Sequence, residues 1–306
     1  MLATEPRLPA LTCDVAVFDL DNPMNGRTLV IDGVRVPRFL YGTAWKEDET
    51  QRLVELAIHQ GFRGIDTANQ RRHYHEAAVG QAISALITSG IVKQDDLFLQ
   101  TKFTFRRGQD HRLPYDAQAA IRTQVEQSFA SSLKHLGTER IDSYLLHGPT
   151  SSVGLTADDW AAWGAMEAIH DSGRARFIGV SNFSLEQLRT LWDEARIRPR
   201  FVQNRCYAVR GWNRQVREFC TDNELAYQGF SLLTANRKAL ASSELARIAK
   251  LHGRTAPQIV FRFAIDVGMI PLTGTTNADH MQTDLDVFDF SLTPTEVERI
   301  ESLESS

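Results

Sequence analysis

Residues 175–206, ARFIGVSNFSLEQLRTLWDEARIRPRFVQNRC, contain the structural unit from which the fold of this chain can be inferred. Mainly apolar residues fill 175–182, an amphipathic stretch covers 184–195, and a second apolar run follows at 201–206. Short runs rich in β-branched and aromatic residues predict strands, and a longer stretch with helical periodicity predicts a helix. The segment is therefore predicted to form a strand, a helix and a second strand.

The same unit recurs along the chain on both sides of this segment. Eight candidate strands occupy residues 38–44, 63–68, 97–103, 141–148, 175–182, 201–206, 225–231 and 269–274. Predicted helices cover 49–60, 77–90, 116–137, 158–173, 184–195, 243–253 and 291–303, the last with Thr293 or Thr295 as its cap. Eight such units predict an α/β fold, a (β/α)8 TIM barrel. An open doubly wound sheet is the alternative, but no predicted strand is followed by the GxGxxG turn that binds phosphate there.

A short β-hairpin is predicted ahead of the barrel. The stretch TLVIDGVRVP (28–37) has alternating apolar residues on either side of Asp32 and Gly33, a pair suited to the positive φ angles of a tight turn. Residues 1–27 show no such pattern and are predicted to be an irregular N-terminal extension. No linker or charge block divides the chain, so residues 1–306 are predicted to form a single barrel domain.

The composition excludes several classes of protein. The 306 residues are 42% hydrophobic and 24% charged with a formal net charge of −4, so the chain lacks the cationic surface that nucleic acid or anionic lipid attracts. Cys13, Cys206 and Cys220 have no metal-site or redox-pair spacing. The N-terminus lacks a signal-peptide pattern, and no apolar segment approaches the roughly 20 residues of a spanning helix. We expect a soluble cytoplasmic protein with reduced thiols, no metal, and no nucleic-acid or membrane partner; the oligomeric state stays open.

Four polar residues end or follow successive apolar strands. Asp66 lies in GIDTA, Tyr74 in HYHEAAVG, Lys102 in FLQTKF and His147 in YLLHGP. The active site of a barrel of this type forms at the C-terminal ends of its strands. Each residue alone is ordinary surface chemistry, but four in succession indicate one shared site.

These motifs resemble those of the aldo-keto reductase superfamily over residues 41–303. The resemblance is carried by GFRGIDTA, HYHEAAVGQAI, DLFLQTK, DSYLLHGP, RARFIGVSNFSLEQL, FVQNRC and QGFSLL. It implies an oxidoreductase that moves hydride between a nicotinamide cofactor and a carbonyl or alcohol carbon, with the catalytic residues Asp66, Tyr74, Lys102 and His147. Tyr74 would be the general acid, Lys102 would favour its phenolate, Asp66 would hold Lys102, and His147 would direct the carbonyl oxygen.

The assignment of the acid has an alternative within the sequence. Counting back from Val79 and Gly80 places His73 in the family's tyrosine register, because the preceding segment NQRRH is longer than usual. Tyr74 is preferred because a loop absorbs one extra residue without difficulty. His73 remains the second candidate.

The resemblance also implies where the cofactor binds. Ser181, Asn182 and Gln203 would hold the nicotinamide carboxamide, and Phe230 would stack on the ring. The full predicted set is Gly42, Thr43, Asp66, Ser181, Asn182, Gln203, Phe230, Ser231, Leu233, Leu272, Thr273, Gly274, Thr275, Thr276, His280 and Asp284.

The predicted phosphate loop departs from the family pattern. Leu272 and Thr273 stand where NADPH-specific relatives have Lys and Ser, and with one residue of slippage His280 stands where they have Arg. Backbone amides at 274–277 can still bind phosphate at a helix start, but permanent positive charge is missing. NADPH is expected, and NADH is the second option.

The substrate pocket is predicted from the loops after the strands. Trp45 and Phe103, with Tyr74 and His147, would contact a small carbonyl or alcohol substrate in an open site. An acidic substrate attracted by arginines is a weaker alternative; they are Arg71, Arg72, Arg106 and Arg107. The alternative from another class is a non-catalytic nicotinamide-sensing protein on the same barrel. A lyase or hydrolase using Asp66 and His147 has neither a metal-ligand cluster nor a nucleophile elbow to support it.

Overall fold

The computed structural model describes residues 26–303, which contain a closed barrel of eight parallel strands. The strands are β3 (Leu40–Gly42), β4 (Gly64–Asp66), β5 (Phe98–Phe103), β6 (Ile141–Leu146), β7 (Ala175–Ser181), β8 (Phe201–Arg205), β9 (Ala226–Phe230) and β10 (Ile270–Thr273). Each pairs with its neighbour in sequence, and β10 pairs with β3 to close the barrel. All eight predicted strands and the TIM-barrel fold are confirmed, and the open sheet is excluded.

The helices lie outside the barrel in the order expected for repeated βα units. They are α1 (Thr50–His59), α2 (Glu76–Thr88), α3 (Ile121–Leu136), α4 (Ala157–Asp171), α5 (Leu185–Glu194), α6 (Arg214–Asp222), α7 (Arg237–Leu240), α8 (Ser243–His252), α9 (Ala256–Asp266), α10 (Ala278–Leu285) and α11 (Pro294–Glu301). Among the helices of residues 26–303, none has the length and apolarity needed to cross a bilayer.

Several helix boundaries differ from the sequence prediction. Helix α3 begins at Ile121 rather than at residue 116, because the Asp116 side chain accepts the backbone N–H of Gln118 and forms a separate turn. Helices α6, α7 and α9 were not predicted, and of α10 only the start after residues 274–277 was. For α9 the signal was present, since Thr255 and Gln258 form a capping box. Thr293 caps α11, as predicted.

The hairpin closes the N-terminal end of the barrel. Strands β1 (Thr28–Ile31) and β2 (Val34–Pro37) pair antiparallel across Asp32 and Gly33, whose φ angles of 49° and 76° confirm the predicted turn. Ile31 and Val36 pack against buried side chains at the bottom of the barrel, namely Leu40, Phe98, Leu145, Phe177, Phe201, Ile270 and Leu272. The hairpin therefore covers the N-terminal end of the barrel interior with apolar side chains. Most of the predicted extension 1–27 lies outside the described residues.

A close approach between α2 and α3 explains one glycine of the motif quoted above. A Cβ at Gly80 would clash with the backbone carbonyl of His135. The packing of α2 on α3 therefore requires a residue without a side chain at this position. Cys206 and Cys220 are buried free thiols whose pKa is raised to about 12 by burial, and Cys13 lies outside the described residues.

Candidate active site

The Asp66 carboxylate and the Lys102 ammonium form an ion pair inside the barrel. Asp66 ends β4 and Lys102 is near the end of β5. Lys102 Nζ donates to Asp66 Oδ1 at 2.7 Å, to Asp66 Oδ2 at 2.8 Å and to the Thr67 carbonyl at 2.9 Å. Lys102 is 0% exposed and Asp66 is 3% exposed. Burial lowers the pKa of Lys102, and the charge of Asp66 opposes this effect, so the carboxylate stabilises the ammonium form.

Two glutamines complete the surroundings of Asp66, and a third contacts both of them. Gln100 Nε2 and Gln203 Nε2 donate to Asp66 Oδ1 at 2.7 and 2.9 Å. Both amides also contact Gln228, which lies inside the barrel on β9. Gln203 was predicted as a cofactor residue, whereas Gln100 and Gln228 were missed. In the sequence, Gln100 and Gln228 each appear as a polar residue in the middle of an apolar strand, and this pattern could have identified them.

The phenol ring of Tyr74 lies between Lys102 and His147. Lys102 Nζ is 5.3 Å from the ring centre, and the rings of Tyr74 and His147 are 5.9 Å apart at 68°. Burial first, and the Asp66 carboxylate second, raise the pKa of Tyr74. The net shift is therefore opposite to the one expected from Lys102 alone, because burial and the Asp66 carboxylate both favour the neutral phenol. Tyr74 holds its proton at neutral pH.

The segment that carries Tyr74 is fixed at both ends by buried polar contacts. Asn69 Nδ2 donates to the Ser128 carbonyl of α3 at 2.9 Å. At the start of α2, the Glu76 carboxylate accepts a hydrogen bond from the Thr101 hydroxyl and lies 2.9 Å from His135 Nδ1. The loop after β4 is thus tied to both β5 and α3, which holds the Tyr74 backbone in place.

His147 follows β6 and is a neutral imidazole. Its Nδ1 is 2.7 Å from the Thr104 hydroxyl, and its carbonyl accepts a hydrogen bond from Asn182 Nδ2 at 2.9 Å. Burial lowers the pKa of His147 to about 3, with smaller contributions from the Lys102 ammonium and from His73. Because Nδ1 is engaged by Thr104, Nε2 is the nitrogen left for other partners.

His73 has a different environment from Tyr74. Its ring stacks on the Trp45 ring with centroids 3.9 Å apart, and its carbonyl accepts the Trp45 backbone N–H at 2.7 Å. Trp45 is 69% exposed. His73 therefore belongs to the rim of the site with Trp45, while Tyr74 faces the ion pair.

The residues predicted for the nicotinamide end lie at the ends of β7, β8 and β9. Ser181 is buried and lies opposite Gln203 in the sheet register. Asn182 has a left-handed φ of 59° and its Nδ2 donates to Ser181 Oγ at 3.1 Å. Phe230 ends β9 and is half-buried, as are Ser231 and Leu233 after it. A hydroxyl and two amides thus lie at the ends of adjacent strands β7 and β8, and the Phe230 ring follows at the end of β9, where it packs against the apolar cluster that includes Leu272.

Several residues predicted for the phosphate end face the protein interior. Leu272 is part of the apolar cluster at the bottom of the barrel, and the Thr273 hydroxyl donates to the buried Asp284 carboxylate at 2.8 Å. Burial raises the pKa of Asp284 to about 7. Thr43 donates through its hydroxyl to the Asp66 carbonyl at 3.0 Å, and half-buried Gly42 lies beside β10. The side chains of Leu272, Thr273 and Asp284 are therefore occupied by internal contacts.

The accessible part of this loop does carry a cation, supplied by another loop. Residues 274–277 and His280 are exposed or half-buried before and within the first turn of α10, whose N-cap is Asn277. The Lys46 ammonium, from the loop after β3, donates to the Gly274 carbonyl. The sequence analysis expected no permanent positive charge at this loop, and the structure corrects this expectation because Lys46 supplies one. No motif in the sequence connects Lys46 to this loop.

Phe103 does not reach the site. It is fully buried, and its ring contacts those of Phe105 and Tyr115 at centroid distances of 5.1 and 5.7 Å. It follows Lys102 directly, and neighbouring residues on a strand face opposite sides. Among the arginines considered for an acidic substrate, Arg107 donates to the carbonyls of Pro149 and Thr150 and so links two loops.

Comparison with known proteins shows the family of this chain. Residues 39–305 match the family model described as the aldo/keto reductase family. The chain belongs to the aldo/keto reductase family. This aldo/keto reductase is 32% identical to an aldo-keto reductase of Mycolicibacterium smegmatis over 92% of the chain and 94% of that protein.

Solved structures resemble this aldo/keto reductase over most of their length. It superposes on an aldo-keto reductase from a Medee basin deep-sea metagenome library with a TM-score of 0.77 and 25% identity, covering 90% of this chain and 94% of the other. The values for an aldo/keto reductase from Brucella melitensis are 0.76, 28%, 90% and 97%. The chain is therefore an NAD(P)-dependent oxidoreductase that acts on carbonyl or alcohol groups.

The side chains at the mouth fit a nicotinamide cofactor. A carboxamide needs both donors and acceptors, and Ser181, Asn182 and Gln203 offer both on two adjacent strands. The half-buried ring of Phe230 provides a flat apolar surface on the next strand. In residues 26–303 no group of three or more His, Cys, Asp or Glu could hold a metal ion.

Proposed function

We propose that this aldo/keto reductase reduces small aldehydes or ketones with NADPH and that Tyr74 is the proton donor. The observation that carries the proposal is the arrangement of Asp66, Lys102, Tyr74 and His147 relative to one another. Lys102 Nζ of the buried Asp66–Lys102 pair lies 5.3 Å from the centre of the Tyr74 ring, and the rings of Tyr74 and the neutral His147 have centroids 5.9 Å apart. A phenol and an imidazole whose rings are neighbours can both donate to an oxygen that gains negative charge.

Each protein group has a distinct part in this proposal. The bound cofactor supplies the hydride. His147 directs the carbonyl oxygen through Nε2–H, a tautomer supported by the Thr104 hydroxyl at 2.7 Å from Nδ1. Tyr74 delivers its proton to the developing alkoxide, and the Lys102 ammonium below stabilises the phenolate that remains. Asp66 keeps Lys102 charged and in place.

Tyr74→Phe tests the identity of the acid. Loss of the hydroxyl is expected to lower kcat by about 10²-fold or more, because general acid catalysis contributes about 10² to 10⁴. Cofactor affinity, followed by fluorescence quenching, should remain at the wild-type value. The matched variant His73→Gln should keep most of its turnover, since His73 stacks on Trp45. Full activity in Tyr74→Phe together with loss in His73→Gln would reverse the assignment.

The preference for NADPH rests on Lys46. Its ammonium is at the Gly274 carbonyl, next to the start of α10 where backbone amides and the helix dipole attract phosphate. Lys46→Met should lower the ratio of kcat/KM for NADPH to that for NADH by about tenfold, the effect of one charge-assisted hydrogen bond. Lys93→Met is the control, because Lys93 is exposed ahead of β5 at the opposite end of the barrel. An unchanged ratio in Lys46→Met would contradict this role.

The proposed substrate class follows from the rim. Trp45 stands 69% exposed over His73 and offers an aromatic surface to a modest organic carbonyl. A screen of aldehydes, ketones and alcohols with both nicotinamides identifies the substrate and the working direction. Cofactor binding without turnover of any of these compounds would instead favour a nicotinamide-sensing role.

A further inference from the structure

Three buried glutamines form a polar layer across the interior of the barrel. Gln100 on β5 and Gln228 on β9 are 0% exposed, and Gln203 on β8 is also buried. Inward positions of such barrels are usually filled by branched apolar side chains. An unpaired buried amide is costly, so three amides at this depth require a complete set of partners.

Gln100 and Gln228 form a reciprocal amide pair. Gln100 Nε2 donates to Gln228 Oε1 at 2.7 Å, and Gln228 Nε2 donates to Gln100 Oε1 at 2.9 Å. Gln100 Nε2 also donates to Asp66 Oδ1 at 2.7 Å. An ionised carboxylate only accepts, so it fixes the orientation of the Gln100 amide, and Gln100 in turn fixes that of Gln228. The two amides can therefore make all of these hydrogen bonds in only one pair of orientations.

This pair connects the two sides of the site. Asp66 and Gln100 face each other across β4 and β5, while Gln203 and Gln228 face each other across β8 and β9. Gln203 Nε2 donates to both Asp66 Oδ1 and Gln228 Oε1 at 2.9 Å. If Gln203 turns to a cofactor carboxamide, Asp66 loses one donor but retains Gln100.

We propose that Gln100 and Gln228 are positioning residues that hold the Asp66 carboxylate, and through it Lys102, beneath Tyr74, whether Gln203 contacts Asp66 or the cofactor. The inference rests on the proposed function, in which Tyr74 depends on Lys102. Gln228 acts on Asp66 indirectly, because its Nε2 donates to Gln100 Oε1 and its Oε1 accepts a hydrogen bond from Gln203 Nε2. Neither residue contacts Tyr74 or His147 by a hydrogen bond in the described part of the chain.

The test uses Gln100→Met and Gln228→Met, which keep the length of the side chain and remove its amide. Gln100→Met should lower kcat about tenfold, because a hydrogen bond to a charged group is lost, and Gln228→Met should lower it less. The carbonyl KM and the cofactor affinity of the enzyme without substrate should stay within about twofold. Gln124→Met is the control, since Gln124 is buried on α3 with one hydrogen bond to the Ala119 carbonyl, away from the barrel interior.

A double-mutant cycle separates positioning from general stability. In a Lys102→Met background, Gln100→Met should have no further effect on kcat, because its effect passes through Lys102. Two results would overturn the inference and leave the proposed function intact. One is a tenfold loss of kcat from Gln100→Met that persists in the Lys102→Met background. The other is a wild-type kcat in Gln100→Met while Tyr74→Phe is inactive. Absence of turnover in the wild type would instead refute the proposed function. Should Gln100→Met fail to fold, Gln228→Met and Gln100→Leu provide the same comparison.

Discussion

Removal of Asp66 is expected to destabilise the protein more than removal of Lys102, because the residue left behind has different partners in the two cases. In Lys102→Met, Asp66 Oδ1 keeps the donors Gln100 and Gln203 at 2.7 and 2.9 Å. In Asp66→Asn, the ammonium keeps the Thr67 carbonyl at 2.9 Å, while the one amide oxygen of the new side chain must serve every donor that the carboxylate served. The carboxylate is therefore the better compensated member of the pair.

The size of the difference follows from the burial of the pair. Loss of one partner from a buried ion pair costs about 3 to 5 kcal/mol of unfolding free energy. The cost in Asp66→Asn has an upper bound, because Lys102 can release its proton instead. For a lysine of ordinary pKa near 10.4, neutralisation at pH 7 costs about 4.6 kcal/mol. We expect about 3 to 4.6 kcal/mol for Asp66→Asn and about 1 to 3 kcal/mol for Lys102→Met, in which two donors remain.

Urea denaturation at pH 7 and pH 9 measures both effects. If Lys102 is neutral in folded Asp66→Asn and charged when unfolded, the unfolded state binds the extra proton. Stability of this variant relative to wild type then rises with pH, by up to about 2.7 kcal/mol between pH 7 and 9. Lys102→Met has no such dependence. Equal or greater destabilisation in Lys102→Met would refute the reasoning, as would a flat pH dependence combined with a cost above 4.6 kcal/mol in Asp66→Asn.

Further predictions concern the cofactor, the imidazole and the helix packing. Lys46→Met should shift cofactor use toward NADH in steady-state kinetics, as argued above. Thr104→Val should lower kcat about tenfold without changing cofactor affinity, because His147 loses the hydroxyl that supports its tautomer. Burial holds the pKa of His147 near 3 in the folded state, against about 6.5 for an unperturbed histidine. The free energy of unfolding should therefore keep its full His147 contribution above about pH 6.5 and decline as the pH falls from there toward 3. Thermal melts of His147→Gln should show a weaker decline. Gly80→Ala should cost about 1 to 3 kcal/mol in urea, whereas Gly164→Ala, whose nearest outside atom is at 3.5 Å, should be neutral or stabilising.

The barrel was predictable because its signal repeats. All eight short apolar runs were identified, so a helix missed in one unit does not change the number of strands in the barrel. The hairpin was predictable from Asp32 and Gly33, which suit positive φ angles. The helices that were not predicted lie in the second half of the chain and are short, from 4 to 11 residues, so their periodicity gives a weaker signal than that of the 16-residue α3.

The candidate site was predictable where a residue ends a strand, and less so where contacts depend on closure of the barrel. Asp66 and Lys102 are on adjacent strands, and their pairing follows from order alone. Gln100 and Gln228 are 128 positions apart and meet only because β5 and β9 face each other across a closed interior. Lys46 meets the loop before α10 because β3 and β10 close the barrel. Such contacts require the three-dimensional register, which no local pattern contains.

The two ends of the barrel interior support each other in the chemistry proposed here. Below the glutamine layer, Phe98 and Phe201 pack with ring centroids 5.7 Å apart, and Ile31 of the hairpin packs against the same cluster. The amides of Gln100 and Gln228 above this cluster are 0% exposed. Hydrogen bonds and charges in such a low-dielectric region interact more strongly than in water, and unpaired ones are more costly. In the proposed mechanism we therefore expect the hairpin to act without contacting the site, because the apolar cluster it completes strengthens the hydrogen bonds that hold the Asp66 carboxylate.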